Sequence, residues 1–186
     1  MSPHCDRILA HYESRWGGGS SESFDPVGPE FRLKEFPTGF RVVAFAPREG
    51  RDMWTYATCG MSTELDPQPL EIHLFSPVRD SAHVELLCAV ANYHRTGAAL
   101  GHRHMVDFGR PWLLGSRCTR GLLSLPYLDG PDLEWLEGDP RIRFLWLIPV
   151  TDEERAFAKA NGLGALEDRF EEKQFDYLDP GRPSVV

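Results

Sequence analysis

A nine-residue run, Ile142-Arg-Phe-Leu-Trp-Leu-Ile-Pro-Val150, constrains this chain more than any other feature. It is apolar at nearly every position rather than at alternate ones, so a strand built from it needs cover on both faces. Such a strand belongs at the centre of a sheet. Its exit is equally well marked. Thr151-Asp-Glu-Glu154 has the form of a capping box, in which the Thr hydroxyl accepts from the backbone N–H three residues on and Glu154 reaches back. Three acidic residues also complement the positive end of the helix that follows. Phe157, Ala160, Leu163, Leu166 and Phe170 carry its apolar stripe, and Gly162 and Gly164 predict a break into two short helices.

The rest of the chain supplies neighbours for this strand. Ser2-Pro3 starts a helix whose stripe is Ile8, Leu9, Tyr12 and Trp16. Gly17-Gly-Gly-Ser-Ser21 stops it and predicts a mobile loop; the strand–loop–helix context that a phosphate cradle needs is missing. Strand texture runs from Phe31 to Phe75, with segments at 41–46, 53–59 and 70–75. In the last of these, Leu70, Ile72 and Leu74 alternate with Glu71, His73 and Phe75, which predicts one buried face. A helix capped by Asp80 or Ser81 follows through Val84, Leu87, Cys88 and Ala91, with Gly97 placed for a left-handed C-terminal cap. Residues 104–108 and 120–125 read as two further strands.

Short connections favour antiparallel neighbours. The expected fold is therefore α+β, a single domain with a mostly antiparallel mixed sheet and helices packed on it. Its parts are an N-terminal helix and Gly/Ser-rich loop over 1–34, a main domain over 35–175, and a loosely held tail over 176–186.

The net charge of −8, from 28 acidic and 20 basic residues, argues against nucleic acid, whose binders carry a basic face. It favours association with a basic partner. No apolar run approaches the roughly 20 residues that span a bilayer, and no export signal is visible at the start. The four cysteines, Cys5, Cys59, Cys88 and Cys118, are widely spaced, which fits reduced thiols in a cytoplasmic protein.

Chemistry-bearing residues concentrate between Ala91 and Pro131 without assembling. His102 and His104 would share one side of a strand and could bind zinc with His73, His83, His94 or Cys118, but Arg103 lies between them and no zinc spacing is present. Cys59, at a strand end before Gly60, is the more suggestive thiol, yet it sits in an apolar segment. The acidic clusters 129–137 and 167–172 read as a turn and a solvated helix face. Of the five tryptophans, Trp16, Trp54 and Trp146 fall on apolar elements. Trp112 and Trp135 lie in loops, where a tryptophan either seals the core edge or anchors a partner.

The order of the remaining motifs is that of a known family. Tyr56-Ala-Thr-Cys-Gly-Met-Ser62 is followed by Ala91-Asn-Tyr-His-Arg-Thr-Gly97, and Gly101-His102 leads to Gly109-Arg-Pro-Trp112 and Gly115-Ser116. Ser124-Leu-Pro-Tyr-Leu-Asp-Gly-Pro131 and Leu147-Ile-Pro-Val-Thr-Asp-Glu-Glu154 complete the series, before Gly162 and the final helix. Over residues 35–175 the chain resembles the suppressor-of-fused domain family in its bacterial single-domain form. The resemblance implies the α/β domain that forms the amino-terminal part of the eukaryotic protein, a negative regulator of Hedgehog signalling that binds a transcription factor. It implies that the eukaryotic second domain is absent. For bacterial members it implies an immunity protein that blocks a toxin of a polymorphic toxin system. It assigns no catalytic or cofactor residue.

The sequence thus points to a non-catalytic cytoplasmic binding domain without cofactor or metal, whose partner is a protein, a basic toxin domain being one candidate. The expected contact surface is Trp112, Arg117, Tyr127 and Asp129. The alternatives are a regulator of a cellular protein, or a small metal- or thiol-dependent enzyme using His102, His104 and Cys59 or Cys118.

Overall fold

Both faces of the central apolar strand are covered, and the order of elements shows how. A computed structural model describes residues 2–18, 21–26 and 36–186. Gly19 and Ser20 of the glycine-rich loop, and the strand texture from Phe31 to Lys34, lie outside them. Helix α1 (Pro3–Trp16) leads to β1 (Ser21–Phe24), β2 (Arg41–Phe45), β3 (Trp54–Cys59) and β4 (Leu70–Ser76). Helix α2 (Ala82–Thr96) then precedes β5 (Met105–Asp107) and β6 (Cys118–Ser124). A short α3 (Pro131–Glu134) and β7 (Trp135–Leu136) come before β8 (Ile142–Thr151), α4 (Asp152–Asn161) and α5 (Leu163–Lys173).

The strands form one mixed sheet in the order β1-β2-β3-β4-β8-β6-β5, with β7 paired to β8. Among the described strands only the β4–β8 pair is parallel; its registers include Ile72 opposite Leu145. One face carries α2, whose Val84, Leu87, Cys88 and Ala91 pack on Val42, Tyr56, Ile72, Leu74, Leu145 and Leu147. On the other face α1 covers Val43, Ala57, Ile142 and Phe144 through Ile8, Tyr12 and Trp16. Beside it α4, α5 and the C-terminal segment cover Phe75, Leu122, Trp146, Ile148 and Val150. The expected α+β single domain is the observed one.

Local signals explain the helix ends. The Ser2 hydroxyl accepts from the Cys5 N–H at 3.3 Å, and both halves of the Thr151–Glu154 capping box are formed. Gly162, at φ 92°, separates α4 from α5. Gly97 departs from expectation, since its φ is −111° rather than positive. A Cβ there would lie 2.9 Å from the Tyr93 carbonyl oxygen, so close approach and not handedness calls for glycine.

Strand β4 overturns the reading of one buried face. All seven of its residues are buried, because it lies between β3 and β8 beneath helices on both sides. Glu71 and His73 are therefore core residues. The Glu71 carboxylate accepts from the Thr58 and Ser62 hydroxyls, both at 2.6 Å, and from the N–H groups of Gly60, Met61 and Ser62. Burial pushes its pKa up to about 7 against those donors. His73 lies between Trp16 and Phe75, with ring centroids 5.2 and 5.3 Å away, and neither ring nitrogen has a partner among the described residues.

The tail, expected to be loose, is fastened. Glu154 is fully buried because the capping box draws its carboxylate under Thr151, and a buried charge needs a counter-charge. Arg182 supplies it, with nitrogen–oxygen distances of 2.5 and 2.8 Å and a third bond to the Pro149 carbonyl at 2.9 Å. The Val185 N–H donates to the same carboxylate at 3.2 Å, and the rings of Phe170 and Phe175 flank the guanidinium.

Two predictions follow from these buried groups. Arg182→Ala leaves Glu154 charged and unpaired, so urea unfolding should show a loss of about 3–5 kcal/mol. His73 is held neutral by burial, which pushes its pKa down to about 3. As pH falls below about 6.5 the unfolded chain takes up a proton there that the folded chain refuses, so stability drops by up to about 1.4 kcal/mol per pH unit. Unfolding free energies of His73→Leu between pH 7 and 4 should fall less steeply by that amount; a slope parallel to the parent's would show that His73 titrates normally in the fold.

Candidate binding site at the open edge of the sheet

The residues singled out in the sequence do not form one surface. Trp112 is only 3% exposed; its ring stacks on His83 at 5.5 Å and belongs to the core beneath α2. It seals the core edge and has no face left for a partner. Asp129 is equally committed: its Oδ1 accepts from Arg51 at 2.7 Å and from the Trp16 indole N–H at 2.8 Å. Arg51 in turn lies over the rings of Trp16 and Phe75, so Asp129 ties the 126–130 turn to the core. Tyr127, at 57%, and Arg117 are exposed, the latter paired with Glu153 on α4.

The enzyme alternative fares no better. His102 and His104 sit in a turn before β5, where Arg103 has φ 62°, and their side chains part. His102 faces Glu167 with its Nε2 3.5 Å from Oε1, while His104 is exposed. The Glu167 carboxylate is already held by the Arg103 guanidinium at 2.8 Å and by the Ser124 hydroxyl. Cys59 is buried under α1, its S–H donating to the Cys5 carbonyl at 3.4 Å, and contact with Cys5 together with burial pushes its pKa upward. Burial does the same to Cys118. A reactive thiol requires the opposite shift. Among the described residues, no three His, Cys, Asp or Glu side chains converge as metal ligands.

A different feature offers a candidate site: the edge of the sheet at β5, which among the described residues pairs with no further strand. In an antiparallel pair, alternate residues direct their backbone groups toward the partner strand. The Phe108 N–H donates to Thr119 at 3.0 Å, and the His104 carbonyl accepts from Leu123 at 2.9 Å. Residues 104, 106 and 108 therefore bond to β6, and the alternation turns the N–H and C=O groups of Met105 and Asp107 outward. Helices overhang this edge on both faces. The result is a slot of about 350 Å³ with Leu86, Ala89, Val90 and Tyr93 of α2 on one wall, and Arg120 with Arg155 of α4 on the other.

Side chains of β5 divide between the walls. Val106 packs in the α2 core, whereas Met105 packs with the α4–α5 cluster and Asp107 stands opposite Arg120. Phe108 lies on the α2 side over Gly121, where a Cβ would come within 2.5 Å of its ring and of Leu147, so glycine lets that ring close the floor. Asp107 accepts from the Gly109 N–H at 2.9 Å and pairs with Arg120, which also reaches Asp152 at 3.1 Å. The Gly109 bond, then Arg120, holds the Asp107 pKa below the usual carboxylate range.

Sequence reading located this strand, and none of the four expected residues lines the slot. The available signal was the shortness of β5 and its charged Asp107, both common at sheet edges. A buried loop tryptophan and an exposed tyrosine are separated by one measurement. Trp112→Ala should lower unfolding free energy by about 3–5 kcal/mol, whereas Tyr127→Ala should stay within about 0.5 kcal/mol of the parent; chemical denaturation of both variants checks this.

The family model for suppressor of fused protein (SUFU) matches residues 37–183. Among solved structures, a SUFU homolog from Neisseria gonorrhoeae is similar at TM-score 0.85 and 29% identity, covering 98% of this chain and 97% of that one. The Sufu-Fu complex structure aligns at TM-score 0.71 and 14% identity over 98% and 92% of the two chains. Drosophila Suppressor of Fused gives 0.65 and 16%, with 98% of this chain spanning 51% of that protein. No curated protein matches the chain by sequence.

Proposed function

The chain belongs to the suppressor-of-fused family, and from that premise we propose that it is a non-catalytic protein-binding domain acting through the slot at β5. One observation carries this reading: among the described residues no strand pairs with the outer edge of β5, which lies between two helical walls. An extended segment of a partner would pair with the outward groups of Met105 and Asp107 and set alternate side chains on each wall. A Suppressor of Fused of the same fold was solved in complex, as Sufu-Fu, which supports binding as the use of this scaffold.

The biological role we favour is immunity: the domain occludes a toxin of a bacterial polymorphic toxin system. The net charge of −8 supports rapid association with a basic toxin domain. All four cysteines are buried thiols outside any disulfide, which supports a reducing cytoplasm, and among the described residues no helix is long and apolar enough to cross a membrane. Tyr127 and Arg117 have the exposure to add a secondary contact.

Asp107→Pro tests the slot. It removes an outward N–H and intrudes on the edge, while an edge position whose N–H faces solvent tolerates proline. Growth rescue by the intact chain against a toxin encoded beside it, with rescue lost in Asp107→Pro and kept in Asp107→Asn, is the expected result. Rescue that survives Asp107→Pro moves the contact elsewhere. No rescue by the intact chain removes the immunity role and leaves a regulator of a cellular protein.

A further inference from the structure

The four cysteines are not alike, and the difference lies in what surrounds Cys5. It sits in the first turn of α1, where the positive end of the helix dipole favours an anion. Ser2 caps that turn beside it, and Arg41 of β2 brings a guanidinium close enough to bond the sulfur. Two glycines make room: a Cβ on Gly60 would lie 2.7 Å from the Cys5 Sγ, and one on Gly39 would lie 3.6 Å away. The Gly39 carbonyl accepts from the same thiol at 3.6 Å.

A second thiol adjoins it. Cys59, at the end of β3, has its sulfur 3.4 Å from the Cys5 carbonyl and within hydrogen-bonding reach of the Cys5 sulfur. That contact, opposed by burial and supported by Ser2 and Arg41, pulls the Cys5 pKa down to about 5. Cys59 shifts the opposite way and keeps its proton. An attacking thiolate beside a protonated partner is the arrangement of a thiol pair built to be oxidised. Among the described residues, Cys5 is 1% exposed yet lines an open pocket of about 380 Å³ with His4, Thr38, Gly60 and Ser62. Bulky reagents are thus shielded from the sulfur, whereas the pocket has room for a small oxidant. The other two cysteines differ: Cys88 packs in the core under α2, and burial holds the proton on Cys118.

We infer that Cys5 and Cys59 form a peroxide-oxidisable pair that closes reversibly into a disulfide, with Cys5 attacking and Cys59 resolving. The Cys5 thiolate attacks one oxygen of hydrogen peroxide; the S–O bond forms as the O–O bond breaks, and the departing hydroxide takes a solvent proton to become water. Cys59 then gives its proton to the sulfenic hydroxyl as its sulfur attacks Cys5. The S–O bond breaks, a second water leaves, and the S–S bond forms. Two electrons pass from the sulfurs to the peroxide, and a dithiol reductant restores both thiols. The bond joins the start of α1 to the end of β3, across a separation of 54 positions in the chain.

Hydrogen peroxide added to the reduced full chain, followed by peptide mapping without reductant, tests this. The peptides carrying Cys5 and Cys59 should appear linked, lighter by two hydrogens, and should separate on treatment with dithiothreitol. Cys5 should be consumed about tenfold faster than Cys88 or Cys118, the advantage of a thiolate over a protonated thiol after its weaker nucleophilicity is allowed for. In Cys59→Ser the Cys5 sulfenic acid should persist and be captured by dimedone. In Cys5→Ser, Cys59 should stay reduced at the same dose. Cys5 left reduced in the intact chain while glutathione in the same solution is oxidised, or consumed no faster than Cys88 and Cys118, overturns the inference. So does a Cys5 that advances to sulfinic acid with Cys59 untouched. Mapping of the intact chain decides the matter even where a variant fails to fold.

Discussion

Covering both faces of the parallel β4–β8 pair is the constraint on which the rest of this structure depends. A parallel pair at the middle of a sheet has no solvent face to spare, so helices must lie above and below it. The chain meets this with α2 on one side and two separate groups on the other, α1 over one end and α4–α5 with the terminal segment over the remainder. Residues of α2 and α4 line the space beside the last strand, so the sheet ends in a recess at β5. The recess is a by-product of how the centre is covered.

The same constraint buries polar groups that a two-layer fold would leave in water. Glu71 is satisfied by five donors from the β3 end and the turn that follows. Arg51 and Asp129 form an ion pair beside Trp16, joining the two cores on that face. His73 lies between two aromatic rings, and neither of its ring nitrogens has a hydrogen-bond partner among the described residues. These groups fix how helices and turns seat on the sheet, which apolar contact alone would leave looser.

Period and capping made most of the architecture legible in the sequence. The run from Ile142 to Val150, the Thr151 box and the Gly162 break depend on neighbours within a few residues, and they stand as expected. The errors involve distant partners. An alternating pattern at 70–75 cannot reveal that a second layer will cover Glu71 and His73. Nothing local in Asp179-Pro-Gly-Arg182 announces that its arginine will meet Glu154. Trp112 and Asp129 looked available because loops lie on the surface, but here the loops turn anchoring side chains inward. The slot was illegible for a related reason: which strand ends the sheet is a property of topology, and a short strand ending in Asp107 is common at an edge without identifying one.

The bond between Arg182 and Glu154 also sets an order of events during synthesis. The start of α4 emerges from the ribosome well before residue 182, and until that arginine follows, the Glu154 carboxylate has no cation to accompany it into the interior. A nascent chain that has not yet presented Arg182 is thus held back from closing this face of the sheet, and folding of the α4–α5 layer awaits that residue. A partner that recognises the recess between α2 and α4 would then meet only molecules in which this layer has closed.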